Sequence, residues 1–148
     1  MNIGIAALSE VRRPDSGEIM EGGDIYYRSG RSDGYHAQGV SVVMSNMLTT
    51  MIIEVNKHIM RLKIRHSLGV VFLVSVYALT EGSDLTVKDA FYATLESVVA
   101  QCLRRDTLLV LRDFNASTGT DRDGYETCVG PHGSGTVNQN NTQFLDFA

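Results

Sequence analysis

The sequence predicts a single domain of the mixed α/β class (α+β), with a β-sheet core and a helix packed on it. Apolar runs of strand length recur along the chain, at residues 3–8, 70–76 and 108–111. One other segment, 87–103, places its apolar residues at helical spacing. A chain of 148 residues can bury one core and is too short for two ordinary domains. We therefore treat residues 1–148 as one domain.

Two more segments show the alternation of a half-buried strand. After Gly39, residues 40–44 place apolar side chains at every second position, and residues 60–65 alternate apolar with basic side chains. Residues 66–69 predict a turn into the run at 70–77, so these two strands should form an antiparallel hairpin. The run 70–77 is apolar on both faces, as expected of a central strand that is covered on both sides.

The segment 87–103 predicts the helix. Thr86 is the expected N-cap, and Asp89 three residues later closes a pair that is similar to a capping box. The buried stripe of this helix is predicted to consist of Val87, Phe91, Leu95, Val98 and Cys102. Arg104 and Arg105 follow the helix, where their charge favours the helix dipole, and we interpret them as a solvated terminus rather than a DNA contact.

Glycine-rich segments predict the loops. They cover residues 17–24, 30–34 and 118–141. The Gly133 and Gly135 turn lacks the Lys of a phosphate-binding P-loop and does not lie between a strand and a helix. We therefore interpret it as an ordinary turn.

Composition and charge exclude several classes of protein. Hydrophobic residues at 43% and charged residues at 20% are typical of a soluble globular protein rather than a disordered one. The net charge of −4 argues against a general nucleic-acid coat, which needs clustered Lys and Arg, but not against a nuclease whose metal neutralises an acidic site. The N-terminus shows no secretory signal, and the most apolar window, 68–79, is too short to cross a bilayer. Cys102 and Cys128 lack metal-site spacing, so we interpret them as reduced structural thiols. We expect an intracellular protein, nuclear or cytoplasmic, that is not secreted and has no membrane partner.

Three strands end in side chains that could carry chemistry. The run at 108–111 is followed by Asp113 and Asn115, which lie two residues apart and so leave the strand end on the same side. Many strands stop in Asp or Asn merely to begin a turn, so this pattern alone is weak. Glu10 closes the first apolar run, however, and Tyr77 closes the run that begins at Val70.

At these residues the chain resembles the endonuclease/exonuclease/phosphatase superfamily. The family order is a strand ending in Glu, a strand ending in Tyr-Ala-Pro-Thr and a strand ending in Gly-Asp-Phe-Asn, which are similar to 3–10, 77–80 and 112–115 here. The flanks 9–14 and 130–136 look most like LINE-type retroelement endonuclease domains and craniofacial development protein 2-like proteins. The resemblance implies part of a DNase I-like four-layer β-sandwich, two sheets flanked by helices.

The resemblance also implies roles for the matching residues. Glu10 would bind Mg²⁺, with Mn²⁺ as an alternative, and Asp113 would hold and help to deprotonate the attacking water. Asn115 would donate to a phosphate oxygen, and Tyr77 would place its hydroxyl against the phosphate. No small-molecule cofactor is evident.

Substrate contacts are expected from Arg12, His132 and Asn138. DNA is the expected partner of the full domain, and the pattern leaves the oligomeric state open.

Two departures from the family pattern bear on activity. The opening family strand with its metal-site Asn has no match, and neither Ser32-Asp33 nor Ser83-Asp84 is followed by the His of the closing Ser-Asp-His motif. These absences predict an incomplete domain, truncated at both ends.

Two substitutions lie inside the matched motifs. Arg112 occupies the place of the Gly before the Asp, and Leu79 occupies the place of the Pro after Tyr-Ala. Arg112 could block the site or pair with Asp113 and depress its basicity.

The sequence therefore predicts a Mg²⁺-dependent, DNA endonuclease-type domain of retroelement origin that is inactive as this chain. The alternative is a catalytically dead derivative that acts as a binding or structural protein, or a fragment without function. A phosphatase acting on inositol lipids or another phosphoester shares the fold and is the least favoured interpretation.

Overall fold

The computed structural model of the chain describes part of its length in full. The described residues are 4–35, 39–45, 49–117, 119–120, 124–127, 129–130, 132, 135–138 and 140–148. For residues 49–55, 66 and 112 it describes the backbone alone.

The described residues form two four-stranded sheets. Sheet A contains β1 (Ile5–Ser9), β2 (Gly17–Glu21), β3 (Asp24–Ser29) and β4 (Val40–Ser45), in the order β1-β4-β3-β2, with all neighbours antiparallel. Sheet B contains β5 (Thr49–Asn56), β6 (Ile59–His66), β7 (Gly69–Tyr77) and β8 (Thr107–Asp113), in chain order. Only the β7–β8 pair of sheet B is parallel. The helices are α1 (Leu85–Val99) and α2 (Asn140–Phe147).

The central strand β7 separates two apolar cores. Phe72, Val74 and Val76 pack with both helices, because they lie on the outer face of sheet B. Leu73 and Tyr77, on the opposite face, pack against sheet A. The layers are thus sheet A, sheet B and helices, and β7 is covered on both faces as its sequence predicts.

The predicted strands and hairpin are confirmed. β6 and β7 are antiparallel, with His66 opposite Gly69. The apolar residues of the two alternating segments are almost fully buried: Val40, Val42, Met44, Met60, Leu62 and Ile64. No helix in the described part of the chain is long and apolar enough to span a membrane.

The predicted start and end of the helix are wrong. α1 begins at Leu85 because the Asp84 carboxylate accepts the backbone N–H of Thr86 at 2.8 Å, which makes Asp84 the N-cap. The helix ends at Val99, so Arg104 and Arg105 lie beyond it and do not occupy its last turn.

The buried face of α1 also differs from the prediction. Val87 is 50% exposed, whereas Lys88 is buried and its Nζ donates to the Glu81 carbonyl at 2.7 Å. Phe91, Leu95 and Val98 are buried, and Cys102 packs at the margin of this core. Cys102 is a free thiol, and Cys128 lies outside the described residues.

The segment 17–24, predicted as a loop, is instead a hairpin between β2 and β3. Gly22 and Gly23 form its turn with φ values of 63° and 88°, which glycine adopts without strain. Every residue of β2 is exposed, so no buried face imposes an alternating pattern on its sequence. In the predicted loop 118–141, several residues lie outside the described ones, and the last two begin α2.

Candidate active site

The ends of β1, β7 and β8 meet at one edge of the sandwich. Tyr77 closes β7 and is the register partner of Asp113, which closes the parallel strand β8. Glu10 follows β1 on the facing sheet, and the Tyr77 hydroxyl donates to its Oε1 at 2.8 Å across 67 residues of chain. The fold therefore joins the two sheets through a side-chain hydrogen bond between predicted site residues.

Asp113 and Asn115 are held by backbone groups. The Ala78 N–H donates to the Asp113 carbonyl at 2.7 Å, which extends the β7–β8 pairing beyond the strands. The Asn115 N–H donates to Asp113 Oδ1 at 3.0 Å, and Asn115 Nδ2 donates to the Ala78 carbonyl at 2.8 Å. Asn115 has φ of 49°, a left-handed conformation that Asn adopts more readily than most residues. This turn directs both side chains to the same edge.

Within the described part of the chain, side chains hold the Glu10 carboxylate. Its Oε1 accepts from Tyr77, and its Oε2 pairs with the Arg12 guanidinium at 3.1 Å. The Tyr77 hydroxyl, and then Arg12, lower the pKa of the Glu10 carboxyl, so it is ionised at neutral pH. Glu10 and Arg12 both have left-handed backbones, with φ of 52° and 50°. Arg12 thus lies at this edge as expected, but it is engaged with Glu10.

The Tyr77 phenol is a hydrogen-bond donor at neutral pH. Burial, the hydrogen bond to Glu10 and the charges of Glu10 and Asp113 raise the pKa of Tyr77 to about 12, and a hydrogen bond from Asn115 partly opposes them. The ring is buried, with 4% of its surface exposed. Only the hydroxyl reaches the site.

His58 packs against Tyr77 and binds its backbone, and no sequence motif singled out this residue. His58 Nδ1 lies 2.9 Å from the Tyr77 carbonyl, so this nitrogen carries the hydrogen. Its ring stacks on Tyr77, with centroids 6.1 Å apart, and meets Phe91 edge-on. Burial lowers the pKa of His58, which favours the neutral ring.

Two asparagines fix the turn that carries Asn115. Asn138 Nδ2 donates to the Asn115 carbonyl at 2.8 Å, and Asn138 Oδ1 accepts from the Ser117 N–H at 3.0 Å. Asn140, which the sequence analysis missed, donates from Nδ2 to the carbonyls of Asn115 and Leu79 at 3.1 and 3.0 Å. Asn138 was predicted to contact substrate, but both of its side-chain polar atoms bind this backbone. Polar residues in a glycine-rich loop gave the only sequence signal for Asn140.

The remaining predicted residues are less well placed. His132 is exposed, and its neighbours 131, 133 and 134 lie outside the described residues. The side chain of Arg112 is also outside the description, so its proposed effect on Asp113 stays a prediction.

The donor atoms at this edge are compatible with a hard cation. Glu10 and Asp113 provide carboxylates, and Asp113 also lines a cavity of about 420 Å³ together with Ser9 and Ser75. Among the described residues, no three His, Cys, Asp or Glu side chains form a metal-binding group. The two carboxylates of Glu10 and Asp113 are compatible with Mg²⁺, because this ion commonly uses one or two carboxylates and retains several waters.

Comparison with known proteins identifies the fold. No family model matches the sequence, and no curated protein matches it. Seven solved chains resemble the structure, and one of them is the endonuclease domain of TRAS1, a telomere-specific non-LTR retrotransposon. That match has a TM-score of 0.64 and 16% sequence identity, and it covers 97% of this chain but 56% of the TRAS1 chain. The chain therefore has a DNase I-like endonuclease fold and spans little more than half the length of that domain.

Proposed function

We propose that the chain is a metal-dependent phosphodiester-cleaving domain of retroelement origin that acts on DNA. The observation that carries the proposal is the convergence of Glu10, Tyr77, Asp113 and Asn115 at one edge of the sandwich. The likeness to the TRAS1 endonuclease domain supports the same class of reaction. The narrower relationship to craniofacial development protein 2-like proteins rests on the sequence motifs alone.

The residues divide the chemistry between them. Asp113 accepts the proton of the attacking water, since it lines an open cavity. Asn115 donates one amide hydrogen to the Ala78 carbonyl and also hydrogen-bonds the Tyr77 hydroxyl, so a phosphate oxygen would replace Tyr77 as the partner of its second amide hydrogen. Tyr77 remains protonated and donates its hydroxyl hydrogen to Glu10 or to the phosphate.

Glu10 and Asp113 are the residues that would hold the cation. When bound, Mg²⁺ or Mn²⁺ would neutralise the negative charge of the phosphate oxygens. The lowered pKa of Glu10 keeps its carboxylate ionised and ready to bind. A cation there would compete with the Arg12 guanidinium for Glu10 Oε2.

A second candidate function is a catalytically inactive derivative that still binds nucleic acid. Among the described residues, no histidine pairs with the carboxylates of Glu10 or Asp113, and the His58 ring is buried against the Tyr77 carbonyl. Loss of one preorganised group that stabilises the transition state commonly costs about 3–4 kcal/mol, or roughly 10²–10³ in rate. This observation favours weak or absent turnover.

Plasmid nicking distinguishes the two candidates. Supercoiled DNA is incubated with the chain and Mg²⁺ or Mn²⁺, with parallel reactions in EDTA. The endonuclease proposal expects metal-dependent nicking that is lost in both Glu10→Gln and Asp113→Asn. DNA binding without nicking at any metal concentration would reject the endonuclease and support the inactive derivative. Nicking that persists in both variants would identify a contaminant.

A further inference from the structure

The outer face of sheet B carries a row of basic side chains that leads away from the candidate active site. Arg61, Lys63 and Arg65 occupy alternate positions of β6, so they share one face. The Arg61 guanidinium and the Lys63 ammonium lie 5.7 and 5.5 Å from the centre of the Phe72 ring. Both charged groups therefore make cation–π contacts with this ring, and the two side chains are half-buried.

The segment after α1 lies beside this row. The Arg61 guanidinium donates to Gln101 Oε1. Burial and then the Asp106 carboxylate raise the pKa of the Cys102 thiol, and the Lys63 ammonium opposes them, so Lys63 is near this segment too. The hydrogen bond between Arg61 and Gln101 brings β6 to the start of the stretch between Gln101 and Asp106.

That stretch contains two more exposed arginines, Arg104 and Arg105. They precede Thr107, the first residue of β8, at the same end of the sheet as Arg65. Arg65 of β6 pairs with Val70 of β7, and the next residue of β7, Val71, pairs with Thr107 of β8. Two strand spacings, about 10 Å, separate these positions. We call Arg61, Lys63, Arg65, Arg104 and Arg105 the basic stripe.

The basic stripe is a local excess of positive charge in an acidic protein. The chain has 13 Lys and Arg residues and a net charge of −4. Three of these cations lie on one face of β6, and two more lie in the segment that leads into the adjoining end of sheet B. None of the five forms a salt bridge with a side chain that the structure describes. Such a surface attracts polyanions by long-range electrostatics, even when the whole protein is negative.

We propose that the basic stripe binds the phosphate backbone of a nucleic-acid strand, independently of base sequence. The proposal rests on the proposed function, because a DNA endonuclease has DNA as its polyanionic partner. Side chains at alternate strand positions lie about 6.6–6.8 Å apart, close to the separation of successive phosphates along an extended nucleic-acid strand. Four of the five residues are arginines, whose planar guanidinium binds phosphate with two parallel hydrogen bonds.

The stripe also leads away from the candidate site. Ile59, at the start of β6, pairs with Val76, the neighbour of Tyr77, and Arg61 follows two residues later. Arg65 ends the row at the opposite edge of the sheet. A strand that leaves the candidate site could follow β6 over this length. Arg61 and Lys63 are already ordered against Phe72, so they lose little side-chain freedom on binding.

The test measures binding of a short fluorescein-labelled oligonucleotide, single-stranded and duplex, by anisotropy in EDTA at increasing salt concentration. We expect the double variant Arg65→Gln/Arg105→Gln to bind more weakly. Its plot of log K against log salt should be shallower by about 1.4 for the single strand, since each lost phosphate contact removes about 0.7. Lys63→Met should reduce the slope by about half of that amount, and Lys63→Arg should restore it.

The matched control carries the same change in net charge on another face. Ile19→Glu/Met20→Glu places two negative charges on the exposed strand β2 of sheet A, where these side chains are 48% and 65% exposed. The proposal is overturned if this control weakens binding as much as the stripe variant. It is also overturned if polyglutamate of equal charge displaces the oligonucleotide from the stripe as well as unlabelled oligonucleotide does, because the partner would then be an acidic polypeptide. Because the binding measurement requires no cleavage, its result can be interpreted even if the nicking assay fails.

Discussion

The two halves of the candidate site are held in different ways. Tyr77, Asp113 and Asn115 come from sheet B, where parallel strand register and hydrogen bonds to backbone groups fix them. Glu10 comes from sheet A, where two side-chain contacts hold an exposed carboxylate that follows a strand end. The sheet B half is therefore preorganised, while the Glu10 half can adjust.

This difference indicates how the site combines precision with access. Groups that must meet a reacting atom benefit from rigid support, because small displacements reduce the rate strongly. In the proposed function, Glu10 would exchange Arg12 for the cation, and an exposed carboxylate that is held by side chains can make this exchange. Variants in the two halves should consequently separate activity from stability.

The largest expected effect is on activity in the sheet B half. If the chain nicks DNA, Asp113→Asn should reduce the rate by about 10²–10⁴, because an amide cannot accept the proton of the water. The fold should persist, since the amide oxygen can still accept from the Asn115 N–H. Plasmid nicking measures the loss of activity, and urea denaturation measures whether the fold persists. Asp106→Asn, at the far end of β8, is the control. A large loss of stability in Asp113→Asn would show that Asp113 is mainly structural.

The next largest effect concerns the support of Asn115. Asn140→Ala should lower the free energy of unfolding by about 1–3 kcal/mol, because the Leu79 carbonyl would lose the buried Asn140 donor, whereas the Asn115 carbonyl would keep Asn138. Urea denaturation measures the change, and Asn141→Ala in the same first turn of α2 is the control. Equal effects of the two substitutions would contradict a specific role for Asn140.

A smaller effect should depend on pH through His58. Burial lowers the pKa of His58 below its usual 6.5, so the unfolded chain binds the proton more readily than the folded one. Stability from this group is fully present above pH 6.5 and decreases as the pH falls from there toward the folded pKa.

The variant His58→Phe keeps an aromatic ring but removes the hydrogen bond to the Tyr77 carbonyl. Above pH 6.5 we expect it to be less stable than the natural chain by about 1 kcal/mol, the value of one hydrogen bond. Its melting temperature should fall less between pH 6.5 and about pH 5, above the range where carboxylates titrate. An unchanged pH dependence would assign the effect to other groups.

The smallest expected change in stability is in the Glu10 half. Glu10→Gln should leave the urea midpoint unchanged, because exposed ion pairs contribute little, while any nicking is lost. The Tyr77 pKa of about 12 should decrease but remain above 10, since burial is its main cause. Ultraviolet titration of tyrosine ionisation, with Tyr77→Phe as reference, measures this shift. A clear loss of stability in Glu10→Gln would remove the distinction between the two halves.

Local sequence patterns predicted the part of the candidate site that lies on sheet B more completely than other elements, such as β2 and the start of α1. The apolar runs before Tyr77 and Asp113 identified adjacent strands, because a strand buried on both faces must be apolar throughout. The same reasoning failed for β2, which is exposed at every residue and so leaves no apolar pattern. The start of α1 was misplaced because Thr86 and Asp84 are both good capping residues, and only the contact between them identifies the cap.

The sequence by itself determined the class of fold, the strands β1, β4, β6, β7 and β8, and the order of the strand ends, because burial imposes periodic patterns on neighbouring residues. It also indicated which four side chains could carry the chemistry. Only the tertiary structure decided that Glu10 bonds to Tyr77 across 67 residues, that His58 supports the same tyrosine, and that Asn140 holds the turn of Asn115. It likewise brought the segment that follows α1 to Arg61 on the basic face of β6. These contacts join residues far apart in the chain, and long-range pairing depends on sheet register and packing rather than on local sequence.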